Sequence, residues 1–264
     1  YLPELQHSDP QMGVGTPHKP YVRLVTYNIR HGAGVDNRVD LERTASALMS
    51  INADVVFLTE VDSHWRRSGF VDQAEELAKM LSMPYIATAP ALIRGTARYG
   101  NALLSRFPIV EAQRTRLPAS PLQEPRVVLM TLVRLTTGEF LRIYGTHLGL
   151  SETDRLAQVE VILDLSKEHE TEPRVLMGDF NASPGAPELQ RLVCKSTSLW
   201  QDPLGLSTEP TTFPTHAPQS RIDYILISPD LAPNVKRYES PFTDASDHLP
   251  VLVDLIFEES GSDH

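Results

Sequence analysis

A set of polar residues punctuates this chain, each at the edge of an apolar run. Asn28 closes the run Tyr21–Tyr27, Glu60 and Asp62 follow Asp54–Thr59, His147 closes Phe140–Thr146, and Asp179 with Asn181 follows Arg174–Met177. Asp223 instead opens a run, and Asp247-His248 precede the last one, Val251–Phe257. In a mixed sheet the end of one strand and the start of an antiparallel neighbour share an edge. The order therefore predicts that these side chains converge on one rim. Carboxylate and amide oxygens are hard ligands, suited to Mg²⁺, Mn²⁺ or Ca²⁺ rather than to a thiol-preferring metal. Asn28, Glu60 and Asp247 would form such a site and leave room for water. Two histidines beside it, one next to a carboxylate, suit hydrolysis by an activated water.

Taken singly, these residues have ordinary explanations. Ser246-Asp247-His248 makes a turn, Gly178-Asp179-Phe180-Asn181 makes a turn after a strand, and His147 suits a hydrogen-bonded core histidine. Asp223 is less ordinary, because a carboxylate between Ile222 and Tyr224 at a strand start needs a partner. The combination carries the argument.

The elements that must position them can be read from periodicity. Tyr21–Tyr27 alternates like a strand, and Asp54–Thr59 is a short buried one. Leu41–Ile51 is helical with Asp40 placed to cap it. Val71–Leu81 is a second helix, with Asp72 and Glu75 as a capping-box-like pair. Arg126–Leu135 and Phe140–Thr146 are strands joined around Thr137-Gly138, a hairpin signature. A helix at Thr153–His169 puts Leu156, Val159 and Leu163 on one face. Strand Arg174–Met177, a short helix at Pro187–Val193, and strands Ile222–Ser228 and Val251–Phe257 complete the rhythm. We read one domain over residues 21–258, with strands outnumbering helices. Residues 1–20, with four prolines, form an irregular lead-in, and residues 259–264 a frayed polar tail.

Bulk properties narrow the class. A chain of 264 residues can bury one substantial core, and 41% hydrophobic with 22% charged residues is an ordinary globular mixture. No apolar run approaches the ~20 residues needed to cross a bilayer, and no secretory h-region is present. The chain starts at Tyr1, so a removed leader stays compatible, and the expectation is a soluble protein, cytoplasmic or secreted. Cys194 is the one cysteine, which excludes an internal disulfide and argues against a thiolate metal site. The net charge of −10 argues mildly against tight nonspecific grip on nucleic acid. The local exception is residues 94–116, where Arg94, Arg98, Arg106, Arg114 and Arg116 face only Glu111. That stretch suits either a solvated surface or phosphate contacts.

The segments TYNIR (26–30), LTEVD (58–62), YGNALLS (99–105), THL (146–148), GDFNASP (178–184), RIDYIL (221–226) and SDHLPV (246–251) occur in that order. Together they resemble the endonuclease/exonuclease/phosphatase superfamily across about residues 21–257, closest in motif pattern to its deoxyribonuclease-like and sphingomyelinase-like branches. The resemblance implies an α/β fold, a four-layer α/β sandwich of two packed mixed sheets flanked by helices. It also implies Mg²⁺, with Mn²⁺ as a substitute, held by Asn28, Glu60 and Asp247. Asp179 and Asn181 match the pair that positions the attacking water and the phosphate. Asp223 matches the carboxylate that orients the catalytic histidine, here His248, and His147 matches the second histidine. Arg30 stands where it would contact substrate phosphate, and Asn101 and Arg98 join it as candidate substrate contacts.

Departures narrow the substrate. The 5-phosphatase branch carries a Pro-Ala-Trp-Cys-Asp-Arg run where this chain reads Gln219-Ser220-Arg221-Ile222-Asp223-Tyr224. AP endonucleases usually carry Tyr at the position of His147. The expected function is hydrolysis of a phosphodiester, a phospholipid headgroup or another small phosphodiester, by metal-activated water. The alternative within the same chemistry is an endo- or exonuclease on DNA or RNA. A catalytically inactive binding module is the alternative of another class, and the presence of Asp179, Asp223 and His248 speaks against it. Motifs alone do not name the substrate.

Overall fold

The computed structural model describes residues 5–7, 21–193 and 199–257. Its centre is a pair of parallel strands, β2 (Val22–Asn28) and β3 (Val55–Ser63), buried almost throughout, with β3 opening on the apolar run Val55–Leu58. Such runs suit strands covered on both faces. Around them the first sheet adds β1 (Leu5–His7), β4 (Tyr85–Arg94), β5 (Ala97–Ser105), β11 (Val235–Glu239) and β12 (Val251–Leu255), in the order β1-β4-β5-β3-β2-β12-β11. The second sheet contains β6 (Ile109–Leu117), β7 (Arg126–Arg134), β8 (Phe140–His147), β9 (Arg174–Asp179) and β10 (Asp223–Ile227), in the order β10-β9-β8-β7-β6. Both sheets are mixed: β2 with β3 and β8 with β9 are parallel, and the other pairs antiparallel.

The sheets pack face to face. Leu24, Phe57, Leu103 and Val253 from the first meet Leu129, Ile143, Met177 and Ile225 from the second in one core. Helices α1 (Leu41–Ile51) and α2 (Gln73–Leu81) cover the outer face of the first sheet through Leu48 and Leu77. Helices α3 (Glu152–Lys167) and α4 (Pro187–Leu192) cover the second through Val159, Leu163 and Leu189. The result is the expected α/β/β/α sandwich. Local chemistry starts the helices where the sequence places them. Asp40 accepts from the Arg43 amide at 2.9 Å and Asp72 from the Glu75 amide at 3.1 Å, each satisfying an otherwise unpaired N–H of the first turn.

Three differences from the sequence reading matter. β3 runs on to Ser63 through a bulge between Leu58 and Val61. The stretch 85–117, which showed no assigned elements, forms β4, β5 and β6. Within the lead-in, Leu5–His7 pairs as an edge strand with β4, with backbone partners supplied by that neighbour rather than by any periodicity of its own. Cys194 and the tail Glu258–His264 lie outside the described residues.

Two glycines record how closely the layers approach near the strand ends that carry His147 and Asp179. A Cβ on Gly145 would lie 2.0 Å from the Phe57 ring of the opposite sheet. Gly178 sits at φ 146°, and a Cβ there would lie 1.8 Å from the Thr146 carbonyl oxygen on β8. That clash is with backbone, so β8 and β9 must separate to relieve it. Gly178→Ala is expected to destabilise the fold by about 2–4 kcal/mol. Urea unfolding followed by circular dichroism checks this, and an unchanged midpoint refutes it.

Candidate active site

The second sheet builds the centre. Asp179, at the end of β9, is paired in register with His147 of parallel β8 on one side and with Asp223 of antiparallel β10 on the other. The first sheet presents Asn28 from the end of β2 and Glu60 from the bulge in β3. Glu60 takes φ 59°, a left-handed conformation that turns its side chain out of the regular pleat. The loop entering β12 supplies Asp247 and His248, and Ser246 Oγ in that loop donates to the Asn28 carbonyl at 2.7 Å. The convergence expected from strand order is therefore present in space.

One oxygen lies at its middle. Asn28 Nδ2 donates to Asp179 Oδ2 at 3.0 Å and to Glu60 Oε1 at 3.1 Å. The same Asp179 Oδ2 lies 3.4 Å from His147 Nε2 and 3.7 Å from His248 Nε2. The Asn181 amide N–H donates to Asp179 Oδ1 at 2.9 Å, and Asn181 Nδ2 lies 3.1 Å from His147 Nε2 while donating to the Leu148 carbonyl at 3.0 Å. His248 Nδ1 lies 2.9 Å from Asp223 Oδ2, which also accepts from Thr212 Oγ1 at 2.6 Å. The Phe213 ring sits 4.8 Å from the His248 ring and closes one side.

The two histidines carry opposite charge states. For His147, burial disfavours the cation, and Arg126, whose Nη1 lies 3.3 Å from Nδ1, disfavours it further; the imidazole falls to about 3 and is neutral. For His248, burial also opposes charge, but Asp223, Asp179 and Asp247 outweigh it and raise the imidazole to about 10. Burial likewise pushes the Glu60 carboxyl up, with Asp179 and Asp247 adding to the shift and the Asn28 amide and His248 offsetting part of it.

The donor set fits a hard divalent cation. Glu60 and Asp247 offer carboxylate oxygens, Glu60 bears the repulsion of neighbouring carboxylates, and Asn28 Oδ1, which accepts from the Arg30 amide at 3.0 Å, adds a third oxygen. Asp179, Asp223 and His248 also bring ligand atoms within 4.8 Å of one another. In that second group the His248–Asp223 contact already satisfies one nitrogen and one carboxylate oxygen.

The remaining candidates are placed differently. Arg30 Nε lies 3.4 Å from Asp247 Oδ2, at the edge of the site. Asn101 is buried and Nδ2 donates to the Val127 carbonyl of the facing sheet, while Arg98 Nη1 donates to the Thr96 carbonyl. Both line a smaller neighbouring cavity with Ser63 and Asp72, not the cleft that holds His147, Asp179 and His248. Asp62 is fully buried in a two-point contact with Arg67. The arginine cluster divides: Arg94 lines the cleft of about 400 Å³, whereas Arg106 pairs with Asp54 at the other end of β5.

Sequence reasoning missed Arg126, Thr212 and the wall formed by Trp65, Arg67 and Tyr99, with Arg67 over the rings at 5.6 and 5.3 Å. Arg126, a lone cation opening an apolar strand, was the one with a visible signal. Trp200 packs in the core against Tyr144, whereas Trp65 faces the cleft.

Comparison with known proteins agrees with this architecture. The chain is 27% identical over 168 residues to the uncharacterized protein YbhP of Escherichia coli (strain K12), covering 60% of this chain and 66% of that one, just under two thirds of its length. An endonuclease/exonuclease/phosphatase from Beutenbergia cavernae superposes with a TM-score of 0.74 at 24% identity, over 90% of this chain and 72% of that one. The mannosyl-6-phosphatase Bt3783 of Bacteroides thetaiotaomicron superposes with a TM-score of 0.73 at 20% identity, over 89% of this chain and all of that one (100%). Both structural likenesses are of fold. The model of the Endonuclease/Exonuclease/phosphatase family matches residues 25–264. The chain therefore belongs to the endonuclease/exonuclease/phosphatase family, whose members are hydrolases of phosphoester bonds and are generally metal-dependent.

Proposed function

We propose that this protein is a Mg²⁺-dependent phosphodiesterase, with Mn²⁺ able to substitute, that hydrolyses a phospholipid headgroup or another small phosphodiester. The observation that carries the reading is the single Asp179 Oδ2 approached by Asn28, neutral His147 and cationic His248. Asn28, Glu60 and Asp247 are the residues that would hold the cation, whose chemistry when bound is to draw charge from phosphate oxygens. Asp179 takes the proton of the attacking water, with Asn28 and Asn181 fixing its carboxylate. His248, held through Nδ1 by Asp223, turns Nε2 toward the reacting phosphate and stabilises the charge that develops there. His147 and Asn181 are placed to donate to a phosphate oxygen.

Turnover of bis-p-nitrophenyl phosphate, sphingomyelin and plasmid DNA, compared in parallel with Mg²⁺ and with EDTA, tests the reading. We expect the small diester and the lipid to be hydrolysed with Mg²⁺ and the rate to vanish in EDTA. An undiminished rate in EDTA refutes the metal dependence. The cationic wall of Arg94 and Arg126 favours the nuclease as second reading. It gains if DNA cleavage dominates and falls steeply with salt, with a slope that Arg94→Ala flattens.

A further inference from the structure

The four most exposed large apolar side chains among the described residues are Leu122, Phe242, Leu150 and Phe70, at 105, 76, 71 and 62%. All four lie on loops that leave the sandwich at the catalytic rim. Leu122 lies between the end of β6 and Arg126, which touches His147. Leu150 lines the cleft itself. Phe70 follows Trp65 and Arg67, which also line it. Phe242 belongs to the loop that carries Asp247 and His248. At the opposite end of the sandwich, Phe140 and Val110 are less exposed, at 46 and 43%.

Two of these residues are disfavoured twice over. Leu122 takes φ 70° and Phe70 φ 61°, the left-handed region where glycine or asparagine would be less strained. Each is also a large apolar group held in water, with no core contact to account for it. Strain of this kind persists at positions with a binding role. The four side chains project singly from separate loops, a pattern suited to entering a fluid interface rather than to a flat protein surface.

Charge on the same edge points to the partner. Although the chain carries −10 overall, the segments around Phe70 and Leu122, 64–72 and 116–126, with the neighbouring 92–99, hold six arginines against Asp72 and Glu124, whereas the loop of Phe242 carries Asp244 and Asp247. Arg66, Arg94 and Arg116 are exposed and make no ion pair among the described residues. Cations near an anionic lipid surface are each attracted by about 1 kcal/mol. Nucleic acid would use the arginines and stack on Phe70 and Phe242, but it would leave the aliphatic tips Leu122 and Leu150 unexplained.

We propose that the catalytic rim docks on an anionic phospholipid bilayer, with Leu122 and Phe70 entering the headgroup region and the cleft facing the lipid. This narrows the phosphodiester reading to lipid substrates and rests on that reading for this step, whereas docking itself is read by binding. The experiment is co-sedimentation of the full chain with vesicles of phosphatidylcholine alone or mixed with phosphatidylglycerol, alongside bis-p-nitrophenyl phosphate turnover. Wild type is expected to bind the mixed vesicles and to release them in high salt. Leu122→Asp with Phe70→Asp is expected to weaken binding at least about tenfold while leaving turnover of the soluble diester unchanged. Absence of vesicle binding overturns the proposal, as does binding that the double substitution does not weaken. Loss of soluble turnover in the double variant also overturns it, because the loops would then serve the fold. Failure of wild type to cleave the soluble diester, with vesicle binding intact, refutes the catalytic reading and leaves docking standing.

Discussion

His248→Ala is expected to lower kcat by roughly 10²–10⁴-fold, the range for a positioned acid–base group. The residue has one geometry available: Nδ1 at 2.9 Å from Asp223, the ring against Phe213, and Nε2 toward Asp179. Asp223→Asn should fall in the same direction, because an amide neither fixes the tautomer nor compensates the imidazolium charge. The double variant should be little slower than His248→Ala, since the two residues act as a unit. The measurement is kcat for both single variants and the double at saturating Mg²⁺. Fully additive losses would mean that Asp223 serves elsewhere, for instance through its bond with Thr212.

Glu60→Gln separates ion binding from folding. If Glu60 is a direct ligand, metal affinity should fall by at least the roughly 10–100-fold that loss of an outer-shell partner costs, and activity at limiting Mg²⁺ should fall with it. The metal-free protein should behave in the opposite sense. Its Glu60 carboxylate is partly buried, and that desolvation, with Asp179 and Asp247 nearby, pushes its pKa up, so the charge is unfavourable where it stands. Removing that charge while keeping the shape should leave the metal-free Tm equal or higher. Calorimetry with and without Mg²⁺ reads both effects. A variant with a lower Tm in the absence of metal, and an unchanged Mg²⁺ titration, would mark Glu60 as a structural carboxylate.

Much of the fold was legible because it rests on short-range physics. Helix starts at Asp40 and Asp72 follow from a side-chain oxygen meeting an amide three residues on. Central strands such as Val55–Ser63 open on an apolar run, Val55–Leu58, because both faces are covered. The stretch 85–117 was not legible. There Pro90, Gly95, Gly100 and scattered arginines interrupt the alternation, and β4–β6 owe their form to pairing with each other and with neighbouring strands. Arg98 and Asn101 looked alike in sequence to the residues of the rim. Only the register of β5 decides that the Asn101 amide meets Val127 across the sheets.

The sequence by itself determined which chemical groups are present and in what order along the chain: an amide at 28, carboxylates at 60, 179, 223 and 247, and histidines at 147 and 248. Those are the group types that hard cations and phosphoester hydrolysis use. Tertiary structure decided the charge of the two histidines at neutral pH. Burial lowers both histidines, but Arg126, 21 residues away, adds to it at His147, whereas Asp223, 25 residues away, outweighs it at His248. It also decided that Trp65 faces the cleft while Trp200 lies in the core. Electrostatic fields and burial depend on which residues are near in space, and the pairing of two sheets sets that proximity.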